Sequence, residues 1–266
     1  MLGAIIGDIV GSRFEFGAAP KRDFELFTSE CSYTDDTICT VAIADAVLNG
    51  REYKDALRDW CNRYPDPMGA YGNMFAQWLA SDDPQPMNSF GNGSAMRVSP
   101  IGWLYSDWEE VIDEAERSAV VTHNHPEGIK GAQCIAEVIS WLRHMRFTKP
   151  EIERKVQKFF QYEIPPMKDI LKIGAQGHFD ATCQETVPMA LRCFIDANNF
   201  EETICLAVMC DGDTDTKACI AGSVAEAYYG IPDWMVERTF AYLPDDMLEI
   251  LDQFYTKIRS EINPKQ

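Results

Sequence analysis

The stretch CSYTDDTICT, residues 31–40, sets two aspartates between two threonines immediately ahead of an apolar, helix-periodic run. Far downstream the chain repeats the arrangement in CDGDTDTKACI, residues 210–220. One Asp or Thr suffices to cap a helix, and the helix dipole favours carboxylates there, so capping alone accounts for either cluster taken singly. Each cluster nevertheless carries a pair of acids, Asp35 with Asp36 and Asp213 with Asp215, beside hydroxyls. Neighbouring carboxylates repel one another unless a cation lies between them. If the two helix starts meet in space, they offer oxygen donors without His or Cys, a set that selects hard cations such as Mg²⁺, Mn²⁺ or Ca²⁺ over zinc. The clusters therefore predict a dinuclear, magnesium-type site built on two helix N-termini.

The surrounding pattern is helical almost throughout. Val187, Ala190, Leu191, Phe194 and Ile195 form one apolar stripe, and Met247, Ile250, Leu251, Phe254 and Ile258 form another. Thr148 with Glu151 and Ser106 with Glu109 have capping-box spacing, and Asn49-Gly50 gives a stop after the first acidic helix. β-Branched alternation is nearly absent, so an all-α protein is expected. The helix expected over 216–229 is dense in small residues, among them Ala218, Ala221, Gly222 and Ala225. Such a helix can be approached closely from several sides, which puts it, and the carboxylates at its start, near the middle of the bundle. Segments 83–100 and 164–184 are rich in Pro, Gly and Asn and read as long loops of the kind that carry function.

With 266 residues and no repeat or linker, the chain reads as one domain over 1–266. Its composition, 46% hydrophobic and 25% charged, is globular, and no apolar run approaches the roughly 20 residues of a membrane span. Asp8 and several glycines interrupt the apolar start MLGAIIGDIVGSRFEF, which has no basic leader and reads as mature structure. Nine cysteines without a Cys-x-x-Cys pair suit reduced thiols and a cytoplasmic location. A net charge of −18 opposes a large nucleic-acid surface, while a small phosphorylated ligand remains compatible if a bound metal supplies local positive charge.

Taken in order, GAIIGDIVGSRFEF, YTDDT, GNGSAMRVSPIG, THNHPEGIKGA and GDTDTKACIAGSVAEAYYG resemble the ADP-ribosylglycohydrolase family over residues 3–230. The resemblance implies a single-domain orthogonal helical bundle holding two Mg²⁺ or Mn²⁺ ions. It also implies removal of ADP-ribose from a protein side chain or a small-molecule acceptor. By motif position it implies metal ligation by Thr34, Asp35, Asp36, Asp213, Asp215 and Thr216, in agreement with the reading of the clusters. Catalytic proton transfer falls to Glu15 in SRFEF, or to a ligand such as Asp36 or Asp215. The Gly-rich segment with Gly91, Asn92, Gly93, Ser94 and Met96 is placed around the diphosphate and ribose, with His123 beside the ligand.

Plainer readings exist for each residue. Glu15 alone is a solvated acid, and the Gly-rich segment alone is a turn. Ser94 lacks the Gly-x-Ser-x-Gly elbow of a serine hydrolase, so it lends a hydroxyl or only fits. His123 and His125 could face one zinc ion, but no further nitrogen or sulfur ligand lies at a recognisable spacing, and a histidine fixing a helix start is the simpler role. Two departures bear on substrate choice. Asp211 stands where the family usually has glycine, and Lys217 where a small or apolar residue is common. A non-catalytic ADP-ribose binder, or a metal-dependent hydrolase of another nucleotide or phosphate, are the alternatives these features leave.

Overall fold

A computed structural model describes residues 1–20 and 23–262, and its regular structure is helical. The helices are α1 (Leu2–Gly11), α2 (Asp35–Asn49), α3 (Tyr53–Arg63), α4 (Asn73–Ala80), α5 (Gly93–Met96), α6 (Ser99–Leu104), α7 (Trp108–Val120), α8 (Pro126–Ser140), α9 (Lys149–Phe160), α10 (Met167–Gly174), α11 (Cys183–Asp196), α12 (Phe200–Val208), α13 (Thr214–Tyr229), α14 (Asp233–Phe240) and α15 (Asp245–Ile262). Among the described residues, β pairing is limited to an antiparallel bridge between Gly91 and Thr182. No described helix is long and apolar enough to cross a membrane.

The centre of the bundle is the pair α1 and α13. Every residue of α1 is buried, and so is α13 from Thr214 to Glu226. Their closeness comes from glycine. A Cβ on Gly3 would lie 2.3 Å from the Gly222 carbonyl oxygen, on Gly7 2.0 Å from that of Ala218, and on Gly11 2.6 Å from the Asp215 Cα. Gly3, Gly7 and Gly11 recur at i, i+4 and i+8, so they form one ridge lying against the small-residue face of α13. The seam fixes where the second acidic cluster sits: Gly11 touches the backbone of Asp215 itself. Ile5, Ile6 and Ile9, fully buried on the other faces of α1, each contribute about 1.5–3 kcal/mol of burial.

Most local expectations hold. Val187, Ala190, Leu191 and Phe194 are buried on α11, and Met247, Ile250, Leu251, Phe254 and Ile258 on α15. The Thr148–Glu151 capping box forms, and α2 stops at Gly50 in the left-handed conformation, φ 63°. Three expectations need correction. The cap of α7 is Asp107, whose carboxylate accepts from Glu109 and Glu110 N–H, because an ionised oxygen one position later outcompetes the Ser106 hydroxyl. Segments 83–100 and 164–184 are not continuous loops: the first contains α5 and the start of α6, the second α10. Pro100 lies in the first turn of α6, where its missing N–H costs nothing. Finally, α13 begins at Thr214 rather than 216.

Candidate functional site

Asp8, on the buried helix α1, organises the first acidic cluster. Its Oδ2 accepts from the N–H of Thr34 (2.9 Å) and of Thr37 (3.0 Å) and from the Thr37 hydroxyl. The carboxylate thus holds the first turn of α2 and presents Asp35 and Asp36 beyond it. Thr34 is the cap of α2: its Oγ1 accepts from Asp36 N–H at 3.2 Å and lies 3.5 Å from Asp36 Oδ2. Sequence reasoning used Asp8 only as an interruption of an apolar run. A lone acid in the middle of a fully buried helix was the available signal, because such a group persists only with partners.

The two helix starts do meet. The Thr216 hydroxyl donates to Asp36 Oδ2 at 3.1 Å, joining α13 to α2. Carboxylate oxygens of Glu15, Asp213 and Asp215 lie within 4.8 Å of one another. Asn92 donates to Asp213 Oδ2 (2.6 Å) and to the Thr186 hydroxyl (3.1 Å), which ties the Gly-rich segment to the second cluster. Among the described residues no ion pair joins these carboxyls to a cationic side chain. Burial first, then mutual repulsion, pushes the carboxyls of Asp35, Asp36 and Asp215 well above the usual carboxylate range. Burial also lifts Asp8 to about 6 and, reinforced by Asp213, Glu15 to about 7. Buried oxygens on Asp8, Asp36 and Asp215 have no hydrogen-bond partner. Orphaned, mutually repelling carboxylate oxygens at two facing helix starts are what a pair of hard divalent cations would satisfy, so the donor set fits that class of ion.

Above the cluster opens a cleft of about 650 Å³, walled by Glu15, Asp35, Asp36, Asp213, Asp215 and Thr216 on one side and by the Gly-rich segment and His123 on the other. Backbone pairing shapes the second wall: Asn92 N–H donates to the Ala181 carbonyl (2.8 Å) and Cys183 N–H to that of Phe90 (3.0 Å). This brings Phe179 to the rim, where it stacks on the exposed Phe16 at 6.1 Å between centroids and 14° between planes. Gly91, Asn92, Gly93 and Met96 line the cleft. Ser94 is not among its walls, being fully buried with its hydroxyl donating to the Gly128 carbonyl at 2.7 Å. His123 lines the cleft, whereas His125 caps α8 by accepting from Glu127 N–H at 3.1 Å. Among the described residues the two histidines join no common metal-binding group.

Arg97, at the end of the Gly-rich segment, also lines the cleft, while sequence reasoning missed Phe179 and the stretch from Gly69 to Phe75. The turn composition PDPMGAYGN, residues 65–73, was the signal for the last. Asp211 is not among the residues that line the cleft. It sits at φ 61°, and its carboxylate accepts from its own neighbour Gly212 at 2.9 Å, while Lys217 Nζ donates to its carbonyl at 2.5 Å. The two departures from the family pattern thus act on each other, fixing the loop before Asp213.

A second cavity of about 660 Å³, lined by apolar groups such as Trp103, Phe240 and Leu251, lies away from the acidic clusters. Glu226 at its edge is engaged by Gly3 N–H and the Tyr255 hydroxyl, so it offers no open acid.

Comparison with known proteins agrees with this geometry. A model of the ADP-ribosylglycohydrolase family matches residues 1–263. The ADP-ribosylhydrolase ARH3 of Xenopus tropicalis is 26% identical, aligned over 97% of this chain and 95% of its own. The ADP-ribosylarginine hydrolase Tri1 of Pseudomonas putida is also 26% identical, over 88% of this chain and 72% of its own. A solved ADP-ribosylglycohydrolase-related protein complex contains a chain with the same fold, with a TM-score of 0.71 and 22% identity over 97% of this chain and 95% of that one. With a match spanning nearly every residue and two acidic helix starts brought to one cleft, the chain belongs to the ADP-ribosylglycohydrolase family of glycosidic-bond hydrolases.

Proposed function

We propose that the cleft hydrolyses the bond between the anomeric carbon of ADP-ribose and the acceptor it modifies, with two Mg²⁺ or Mn²⁺ ions held by Thr34, Asp35, Asp36, Asp213, Asp215 and Thr216. The observation that carries this reading is the meeting of Asp36 and Asp215, each with an unpartnered buried oxygen, at the floor of a cleft faced by a Gly-rich backbone. ADP-ribose comes from the names of the relatives, and Tri1 adds arginine as one acceptor. Bound ions would supply the positive charge that keeps the carboxylates ionised, orients ribose hydroxyls and eases deprotonation of a water.

The chain's own residues do the rest. Glu15 lines the cleft beside Asp213 and Asp215, where burial and the Asp213 charge lift its carboxyl to about 7 in the ion-free protein, and it is the acid placed to hand a proton to the departing acceptor or take one from water. Gly91, Asn92 and Gly93 bring backbone close to the phosphates, and Met96 packs beneath. Ser94 holds that segment to α8 through Gly128. His123 faces the ligand from the same wall. Asp211 is not among the cleft's lining residues, which favours a diphosphate ligand over the alternative of another phosphate substrate. We place this activity in the cytoplasm, consistent with nine free cysteines, and in one domain over 1–266.

The test is release of free ADP-ribose from ADP-ribosyl-arginine and ADP-ribosyl-serine peptides, with Mg²⁺ and with chelator. Metal-dependent release from one peptide is expected. Glu15→Gln should slow that release by about 10²–10⁴-fold while leaving ADP-ribose binding in place. Release from neither peptide, together with no binding of ADP-ribose, overturns the reading.

Stability gives an independent check. Asp8 and Glu15 have folded-state values of about 6 and about 7 against ordinary values of 3.8 and 4.5, so the chelated protein holds protons that the unfolded chain gives up. Stability from these groups is therefore complete below about pH 4 and lost as pH rises toward 7. His123, depressed to about 3 by burial, works in the opposite sense, but equally with and without metal. The gap in Tm between Mg²⁺-loaded and chelated protein should accordingly widen between about pH 5 and pH 8, by about 5 °C or more. A gap that is constant or shrinks contradicts the site.

A further inference from the structure

Arg97 is almost fully buried, has no carboxylate partner among the described residues, and reaches the cleft wall from behind. Its Nη2 donates to the Ser118 carbonyl (2.9 Å) and to the Thr122 hydroxyl (2.8 Å). The same hydroxyl lies 2.7 Å from His123 Nδ1. A guanidinium can only donate, so Thr122 Oγ1 must accept from Arg97 and has a single proton of its own to place. With Nδ1 the other polar atom in contact, that proton goes to Nδ1. The reverse arrangement, with Nδ1–H donating, would leave the fully buried Thr122 hydroxyl proton without an acceptor. The remaining ring proton then sits on Nε2, which makes no hydrogen bond among the described residues. It points at the Gly-rich backbone: a Cβ on Gly93 would lie 3.1 Å from it, and one on Gly91 3.5 Å.

We propose that Thr122 is a positioning residue which, with its proton directed by Arg97, locks His123 as the neutral Nε2–H tautomer and so makes it an obligate donor to an acceptor oxygen of ADP-ribose in the cleft. The ligand named here rests on the function proposed above, whereas the tautomer lock rests on the hydrogen bonds alone. Protonating the ring would put a second cationic donor on a hydroxyl oxygen that already accepts from Arg97, and burial with the Arg97 charge behind it pushes the ring's pKa down to about 3. A neutral fixed donor holds its ligand contact unchanged over the range in which an ordinary histidine titrates. It also gives the Gly91–Gly93 wall a donor of fixed direction.

The experiment is nitrogen NMR of isotopically labelled wild-type protein, with the His123 signals assigned by their loss in His123→Asn, combined with calorimetric titration of ADP-ribose. Wild type should show protonated Nε2 and bare Nδ1 from about pH 5 to pH 8, with the Nε2 signal moving when ADP-ribose is added. Thr122→Val should give a mixture of tautomers and weaken ADP-ribose binding about tenfold, and Thr122→Ser should restore both. A wild-type Nδ1–H tautomer overturns the proposal without recourse to any variant. Thr122→Val with the wild-type tautomer and affinity overturns it equally. A locked tautomer in a wild-type protein that binds no ADP-ribose establishes the lock and refutes the functional reading instead.

Discussion

Gly7→Val is expected to abolish the native fold. The first atom of any side chain at position 7 would lie 2.0 Å from the Ala218 carbonyl oxygen and 2.6 Å from the Cys219 nitrogen, contacts that real Cβ atoms do not make. Both obstacles are backbone of a buried helix, so neither can rotate aside as a side-chain tip would. The helices must separate instead, and the seam between α1 and α13 is the centre of the core. Overpacking against yielding neighbours costs about 1–3 kcal/mol; here the loss should exceed about 5 kcal/mol, comparable to the stability of a whole domain. Circular dichroism and urea titration of the purified variant would show it as unfolded or without a cooperative transition. Gly50→Ala is the control: Gly50 has φ 63° and open space around its Cα, so only the left-handed backbone is penalised, at about 1 kcal/mol. A Gly7→Val protein melting cooperatively near wild type would mean that the two helices do not approach as described.

The same seam explains which parts of the molecule were readable in the sequence. Helical periodicity, the Thr148 cap and the Gly50 stop are written locally, within one or two turns, and each appears where the residues put it. The paired acids of YTDDT and GDTDT were readable because an acidic pair at a helix start is more than a cap requires, and their meeting is borne out by the Thr216–Asp36 hydrogen bond. What the sequence left open was set by distant contacts. Asp8 is an ordinary acid until Thr34 and Thr37 are brought to it. Arg97 and Thr122 have no local relation, and Phe179 sits at the rim beside the pairing of Gly91 with Thr182, stacked on the distant Phe16. Short helices such as α5 and α10, in Pro- and Gly-rich sequence, are likewise held by their surroundings rather than by propensity. Asp211 shows the limit in the other direction: sequence places its charge beside the acidic motif, whereas in the structure it has a left-handed backbone and is not among the cleft's lining residues.

Asp215→Asn should separate activity from stability in opposite directions. Asp215 lies at the start of α13, buried, with one oxygen unpartnered and with Asp213, Asp36, Glu15 and Asp8 all raising its pKa on top of burial. In a protein that uses divalent cations at this point, replacing the carboxylate by an amide removes a charged ligand while keeping the shape. Turnover should fall about a thousandfold or more, which is about 4 kcal/mol of transition-state stabilisation, and the rise in Tm on adding Mg²⁺ should shrink with it. In chelator the expectation reverses. The variant has one fewer like charge in a buried cluster, so near pH 8 its Tm should lie a few degrees above that of chelated wild type. The amide is not free of cost, since a buried NH₂ facing former acceptors needs partners, at about 1–3 kcal/mol if it finds none. That cost does not depend on pH, whereas the relief of repulsion does: toward pH 5 the wild-type carboxyls take up protons, repulsion fades, and the advantage of the variant should vanish or invert. A stabilising effect confined to high pH and to metal-free protein is therefore the signature of an ion site, because a purely structural aspartate would cost stability under every condition. Equal turnover and an undiminished Mg²⁺ shift in Asp215→Asn would remove Asp215 from the site altogether.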